Sequence, residues 1–405
     1  MAVNAAMKLA FVIPWYGDTI PGGAEAECRS TAKALSRVGY DVEIITTCVR
    51  EFLSDWSVNH HPPGESLEGG LKVLRFPVRQ RDTRAFDQVN LKLMRSLPVS
   101  AEEQETFMRE NINSPSLCEY LERSGDDYLF LFTPYMFGTT YWGSQICPQR
   151  SILIPCLHDE SYAYMPIVKR MVDRFSGLLF YSDFERRLAT SLYSTPLEKM
   201  AVMGGGVDSD WTADAERFRR KYDLSDFVVY AGRREAGKNL PMLIDYFARY
   251  IAETGDTLDL VLLGKGQVEI PRSSARHVRD LGFLPLQDKY DCFAAATFFC
   301  LPSLYESFSL VMMEAWLAGT PLVVYERCQV AKEHCLHSNG GLFFGNYEEF
   351  LEVTRELRAH DELRQRLAAN GRQYVLQNYT WPTVCNRFTS ALRQWGWPLE
   401  ERCAV

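Results

Sequence analysis

No stretch of the 405-residue chain runs through 18 apolar residues, so no segment is built to cross a bilayer as a helix. The N-terminal apolar run, Leu9 to Pro14, is too short for the core of a signal peptide. Eleven cysteines occur without a single Cys-x-x-Cys pair. The nearest approach to a ligand cluster is Cys328, His334, Cys335 and His337, whose spacing matches no common zinc pattern. These absences lead to the expectation of a soluble, cytoplasmic protein with reduced thiols and no metal. Net positive charge is missing too. Lys and Arg number 44 against 52 Asp and Glu, a formal charge of −8, which leaves no electrostatic footprint for nucleic acid. Repeats and low-complexity tracts are absent, which excludes fibrous and solenoid architectures.

What is present is a core-forming composition, 46% hydrophobic and 13% aromatic, in a chain long enough for two or three domains. Lys8–Pro14 reads as a strand buried in a parallel sheet. A Gly/Pro loop, a helix over 24–39 and a second strand over 41–47 follow it. Strand, glycine loop, helix and strand make a βαβ unit. Further strands are expected at 71–77, 127–133, 150–156 and 177–181. A second series follows at 227–231, 258–263, 297–301 and 321–325, with helices at 239–254, 286–295 and 309–318. The tail from 347 to 397 is helical in period, interrupted at Trp381-Pro382. Two α/β halves result, joined near 205–225.

Four segments carry chemistry. In Pro302-Ser-Leu-Tyr-Glu306-Ser307-Phe308-Ser309-Leu310 the chain leaves a strand and enters a helix that Gly319 ends. Ser307 and Ser309 suit the N-cap, Glu306 lies beside the helix N-terminus, and Glu314 falls beyond the first turn. Such an N-terminus, at the carboxyl edge of a parallel sheet, receives phosphate through free N–H groups and the helix dipole. In Gly232-Arg233-Arg234-Glu-Ala-Gly237-Lys238, two cations flank a glycine loop and could neutralise a diphosphate, Arg as a fork and Lys as a point charge. Gly22 and Gly23 precede the first helix and permit close backbone approach to a ligand. His158 and Asp159 stand at a strand end.

Taken in order, Gly22-Gly23, His158-Asp159, Gly205-Gly-Val-Asp208, Gly232-Arg233…Lys238, Gly264-Lys-Gly266, Pro302-Ser303 and Glu306-x7-Glu314 resemble family 4 of the retaining glycosyltransferases. The resemblance implies the GT-B fold, two Rossmann-like domains facing a cleft. It places an acceptor-binding domain at 1–208, a nucleotide-sugar-binding domain at 209–379, and a C-terminal helix at 380–405 that crosses back to the first. It also implies roles. Arg233 and Lys238 would hold the donor diphosphate, Glu306 and His158 would meet the transferred sugar, and Glu314 would bind the ribose. The Phe308, Ser309 and Leu310 amides would surround phosphates and sugar together with the Gly22-Gly23 loop. Gly264, Gly266 and Phe283 would border the base. The donor would be GDP-mannose or a UDP-hexose, the acceptor a glycan or lipid-linked glycan, and the setting cell-envelope polysaccharide or lipopolysaccharide synthesis. Such enzymes need no catalytic metal, since Arg and Lys take its place at the diphosphate. With no evident covalent nucleophile, front-face attack with the leaving phosphate as base is expected. Arg234 departs from the family pattern, where an apolar residue is usual.

Rival readings are a Rossmann dehydrogenase, a sugar-nucleotide epimerase of the same fold, and a non-catalytic sugar-nucleotide binder. In the first, Gly264-x-Gly266-x-x-Glu269 lacks the third glycine. The Arg233/Lys238 and Glu306/Glu314 set fits transfer better than epimerisation. The stretch from Lys72 to Arg95 holds seven basic residues against Asp82 and Asp87. Arg75, Arg79, Arg81 and Arg84 are therefore candidates to face an anionic acceptor or a negatively charged membrane surface.

Overall fold

The computed structural model describes residues 7–20, 22–272 and 274–397. The chain divides into two units, the first running to Gly206 and resuming at Val384, the second Val207–Thr383. Continuous apolar runs generate the central strands of both. The first unit contains β1 (Lys8–Val12), β2 (Val42–Thr47), β3 (Gly64–Glu68), β4 (Leu71–Phe76), β5 (Tyr128–Phe132), β6 (Ser151–Leu153), β7 (Gly177–Phe180) and β8 (Met200–Val202). They form one sheet in the order β3-β4-β2-β1-β5-β6-β7-β8, parallel except where β3 pairs antiparallel with β4. From Leu9 to Val12 and from Leu129 to Phe132 no residue is exposed at all, as expected of strands covered on both faces.

Residues from Val384 onward complete this unit. The helix Trp381–Gln394 buries Val384, Phe388 and Leu392. The Tyr40 ring meets Phe388 edge-on, and its hydroxyl pairs with Thr389 at 2.7 Å. Trp395 donates its indole N–H to the Glu198 carbonyl and lies so close to Gly177 that a Cβ there would sit 2.6 Å from the ring. The helical tail breaks where expected, two residues separating the helix Asp361–Asn378 from Trp381-Pro382. Pro382 stands near the start of this last helix, where its missing N–H costs nothing.

The second unit holds β9 (Phe227–Ala231), β10 (Asp259–Leu263), β11 (Val278–Gly282), β12 (Phe298–Leu301), β13 (Leu322–Tyr325) and β14 (Gly341–Phe344). Its sheet is wholly parallel, ordered β11-β10-β9-β12-β13-β14. Two Rossmann-like sheets thus bear out the α/β reading. Four strands escape sequence patterning. β3 and β11 are polar edge strands, and β8 and β14 span only three and four residues. The strand expected over 150–156 shortens to β6 because Pro155 has no N–H for a ladder. Among the described residues no helix is long and apolar enough to cross a membrane.

Candidate functional site

In an open parallel sheet, ligand chemistry gathers beyond the strand carboxyl ends where the strand order reverses. In the second unit that point lies between β9 and β12, since β9 leads outward to β10 and β11 while β12 leads the other way. The loop after β9 carries Gly232, Arg233 and Lys238, and the loop after β12 carries Glu306, Ser307, Phe308 and Ser309. They meet there. Lys238 Nζ lies 2.7 Å from Glu306 Oε1, with the two side chains 19% and 9% exposed.

The backbone fixes these loops to one another. The Leu304 N–H donates to the Gly237 carbonyl at 2.8 Å, joining the β9 and β12 loops. The Arg234 N–H reaches the Lys265 carbonyl at 3.3 Å, joining β9 and β10, and the Gly264 N–H donates to the Gly282 carbonyl at 2.8 Å, joining β10 and β11. Tyr230 donates its hydroxyl to the Arg233 carbonyl at 2.8 Å, and burial holds that hydroxyl protonated far above its usual range. Arg233 itself pairs with Glu235 at 3.2 Å.

Sequence reasoning saw Arg234 only as a departure. Its side chain forks onto Asp280 of β11, with one nitrogen 2.7 Å from the carboxylate, and reaches the Gly266 carbonyl at 3.0 Å. A Cβ on Gly266 would lie 2.9 Å from the Arg234 Cβ. The guanidinium therefore straps the Gly264–Gly266 loop to the sheet edge. Phe283, just past β11, is 70% exposed, with the Lys265 ammonium 5.3 Å from its ring centroid.

Ser309 does not cap the next helix as expected. Leu310–Leu317 begins from Ser309, whose φ of 71° is left-handed and whose side chain makes no capping bond. Side-chain capping needs an extended backbone at that position. The Ser309 hydroxyl is buried without a partner, and while the Met312 N–H donates to the Ser309 carbonyl at 3.1 Å, the N–H groups of Leu310 and Val311 have no acceptor within the helix. Phe308 is wedged behind the turn against His334 and Tyr379, at ring distances of 5.5 and 4.9 Å. Burial brings His334 down to about 3, so the ring is neutral, and its Nδ1 meets the Tyr374 hydroxyl at 3.1 Å. Glu314, five residues into the chain beyond Ser309, accepts from Lys289 at 2.7 Å.

The remaining candidates lie in the first unit, whose strand order reverses between β1 and β5. Gly22, after β1, has φ +149°, and a Cβ there would fall 1.9 Å from the Glu25 carboxylate, so the position requires glycine. Gly23, by contrast, faces open space and opens the helix Gly23–Arg37. Glu25 is pinned by the Trp15 indole at 2.6 Å. His158, after β6, has its Nδ1 3.5 Å from Glu160.

Glu185 is a neighbour of this loop that sequence reading missed, although Ser182-x-x-Glu185 spells a capping box. Wholly buried, it accepts from the N–H groups of Leu157, Tyr181 and Ser182 at 2.5, 2.7 and 3.3 Å. Loss of solvation pushes its carboxyl up to about 7 from an ordinary 4.5, against the pull of those three donors. A group raised in the fold contributes fully below about pH 4.5 and loses that contribution as pH rises through about 7. The stability advantage of wild type over Glu185→Gln should therefore shrink between pH 5 and pH 8, by about 2–3 kcal/mol. Denaturant melts across that range would show it, and a constant difference refutes it.

The basic stretch is corrected. Arg75 does not face an acceptor. Its side chain is buried and donates to the Tyr16 carbonyl at 2.8 Å and to Glu68 at 2.7 Å, because it sits on β4 opposite the acidic hairpin strand β3. Lys72 pairs with Glu65, Lys92 with Glu103, and Arg79 with Glu110. Arg81 binds the Glu110 carbonyl and lies over the Trp56 and Phe86 rings at 4.8 and 4.9 Å. Arg84 and Arg95 remain exposed, on or beside the helix Thr83–Met94.

Comparison with known proteins gives one answer. Residues 214–374 match the family model for glycosyl transferases group 1. A phosphatidyl-myo-inositol mannosyltransferase of Mycobacterium leprae is 26% identical over 68% of this chain and 76% of its own length. An O-antigen chain mannosyltransferase B of Escherichia coli is 29% identical over 38% of this chain and 44% of its own. Among solved structures, Anabaena HepE in complex with UDP and glucose superposes with a TM-score of 0.67 at 18% identity, over 96% of this chain and 99% of that one. Trehalose-6-phosphate synthase OtsA gives 0.73 at 10% identity, over 95% and 98%, so the fold is GT-B. Residues 214–374 thus form a group 1 glycosyltransferase domain, which marks a retaining glycosyltransferase that takes its sugar from a nucleotide sugar.

Proposed function

We propose that the chain moves a hexose from GDP-mannose or a UDP-hexose to a glycan or lipid-linked acceptor in cell-envelope polysaccharide synthesis. One observation carries the assignment of labour, the Lys238–Glu306 contact at the strand-order reversal, with Arg233 on the same loop. Breaking the sugar–phosphate bond builds negative charge on the diphosphate and oxocarbenium character on the sugar. Arg233 and Lys238 meet the first, and the N-terminus of Leu310–Leu317 adds the N–H groups of Leu310 and Val311. Glu306 meets the sugar hydroxyls and, held by Lys238, keeps one oxygen engaged while the other accepts. Gly264, Gly266 and Phe283 border the base, and Glu314 takes the ribose.

A hexose donor is supported by the relatives named as mannosyltransferases and by a structural neighbour crystallised with UDP-glucose. A thermal-shift panel of UDP, GDP, ADP and TDP tests it. One nucleoside diphosphate is expected to raise the melting temperature selectively. A flat response to all four removes the reading.

For the acceptor side, the surviving candidates are Arg84 and Arg95. Leu91, Met94 and Leu97, exposed to 48%, 64% and 49%, accompany them. Residues 84, 88, 91 and 95 share one face of the helix and its end. Exposed apolar residues flanked by unneutralised arginines fit an anionic lipid surface. Sedimentation with anionic vesicles at low salt is expected for wild type and lost in Arg84→Glu/Arg95→Glu. Wild type left in the supernatant counts against membrane docking.

A further inference from the structure

Glu314 is held by only one of its oxygens. Oε1 accepts from Lys289 Nζ at 2.7 Å, whereas Oε2 is buried with no hydrogen-bond partner. The carboxylate and the ammonium are 16% and 23% exposed. A buried, charged oxygen without a donor is destabilising, and its persistence at a functional edge points to a donor that arrives with a ligand. Lys289 is well placed to impose this asymmetry. It stands in the helix Leu286–Ala295, which the chain enters from Gly282-Phe283-Leu284-Pro285, directly after β11. Its neighbour Tyr290 is stacked flat on Trp211 at 3.7 Å, and the Lys289 ammonium lies 5.1 Å from the Tyr290 ring centroid. The lysine is thus carried on an anchored helix rather than on a mobile loop.

We propose that Lys289 is a positioning residue for nucleotide recognition. It engages Oε1 of Glu314, keeps the carboxylate in one orientation, and leaves Oε2 to accept a ribose hydroxyl. Without Lys289 the carboxylate loses its counter-charge in a largely water-free place and no longer holds that orientation. The inference rests on the reading that Glu314 serves the ribose. A purely structural ion pair, tying the helix Leu286–Ala295 to Leu310–Leu317, would contribute stability but would not affect how the protein tells ribose from its deoxygenated form.

Titration calorimetry separates the two, with UDP and GDP each set against its 2′,3′-dideoxy counterpart. For the better-bound ribonucleotide, wild type is expected to prefer the ribose form about tenfold to a hundredfold, the worth of one hydrogen bond to a charged group. In Lys289→Met that preference should fall to about threefold or less, with dideoxy affinity nearly unchanged, and Lys289→Arg should restore most of it. Lys289→Gln reads the same ratio if the methionine variant does not fold. Wild-type discrimination retained in the neutral variants overturns the role of Lys289 alone. Wild type that binds neither ribonucleotide overturns the ribose reading of Glu314 along with it.

Discussion

Lys238→Ala should lower the rate of nucleoside-diphosphate release from the donor by a factor of about 10²–10³, the usual worth of one preorganised charge at a developing anion. The size follows from what the side chain touches. Its ammonium lies 2.7 Å from Glu306, and both partners are largely withdrawn from water. On the proposed assignment alanine removes the cation that meets the leaving group, and it also leaves the Glu306 carboxylate uncompensated, which is itself disruptive. Lys238→Arg should fall between the two, since it keeps the charge but replaces a compact ammonium with a planar fork. The loss should appear in the maximal rate more than in nucleotide affinity, because Gly264, Phe283 and Glu314 hold base and ribose on the proposed assignment. A variant within threefold of wild type at saturating donor removes Lys238 from the chemistry.

Much of this site was legible before any coordinates. Apolar runs marked β1, β5, β9, β10, β12 and β13, and the loops after β1, β9, β10 and β12 carry candidate residues. The Glu306-x7-Glu314 spacing across a loop and a helix start was readable because it is local. What stayed hidden was which loops adjoin one another. Arg234 meets Asp280 and Lys289 meets Glu314 across 46 and 25 residues of sequence. Those pairs follow from strand order, and hydrophobic patterning does not determine strand order.

The basic stretch misled for the same reason. A run of arginines and lysines reads as a charged face until its partners are known. Here Glu65 and Glu68 sit on β3, a polar edge strand with no alternating apolar signal. Glu110 lies beyond the end of the helix Ala101–Arg109 and gathers Arg79 and Arg109. Neutralisation in place leaves only Arg84 and Arg95 for an outside partner. Ser309 shows the opposite case. A residue type suited to capping is instead held in a left-handed turn, and its hydroxyl is left unused, at a point where a ligand is expected.

Gly264→Ala should be the most damaging single methyl group in the second unit's loops. The residue has φ +127°, a conformation that alanine scarcely adopts, and its Cβ would fall 2.0 Å from the Gly232 carbonyl oxygen and 2.9 Å from the carbonyl carbon. The obstacle is backbone, so no side chain can turn aside. Gly264 also donates to Gly282 while Gly232 donates to Leu263, so neither loop can retreat without breaking a ladder at the edge of the sheet. Strain and overpacking together should cost about 3–6 kcal/mol. Gly255→Ala supplies the comparison. It too has positive φ, at +66°, in the turn ending the helix Leu240–Thr254, but a Cβ there meets nothing within 4 Å. Its cost should be about 1–2 kcal/mol, the left-handed penalty alone. Denaturant unfolding of both variants, followed by nucleotide thermal shift, measures the difference. Equal destabilisation of the two would show that the Gly232–Gly264 approach is looser than these contacts require. Loss of the nucleotide-induced shift in Gly264→Ala, with the shift intact in Gly255→Ala, would tie this backbone crossing to donor binding.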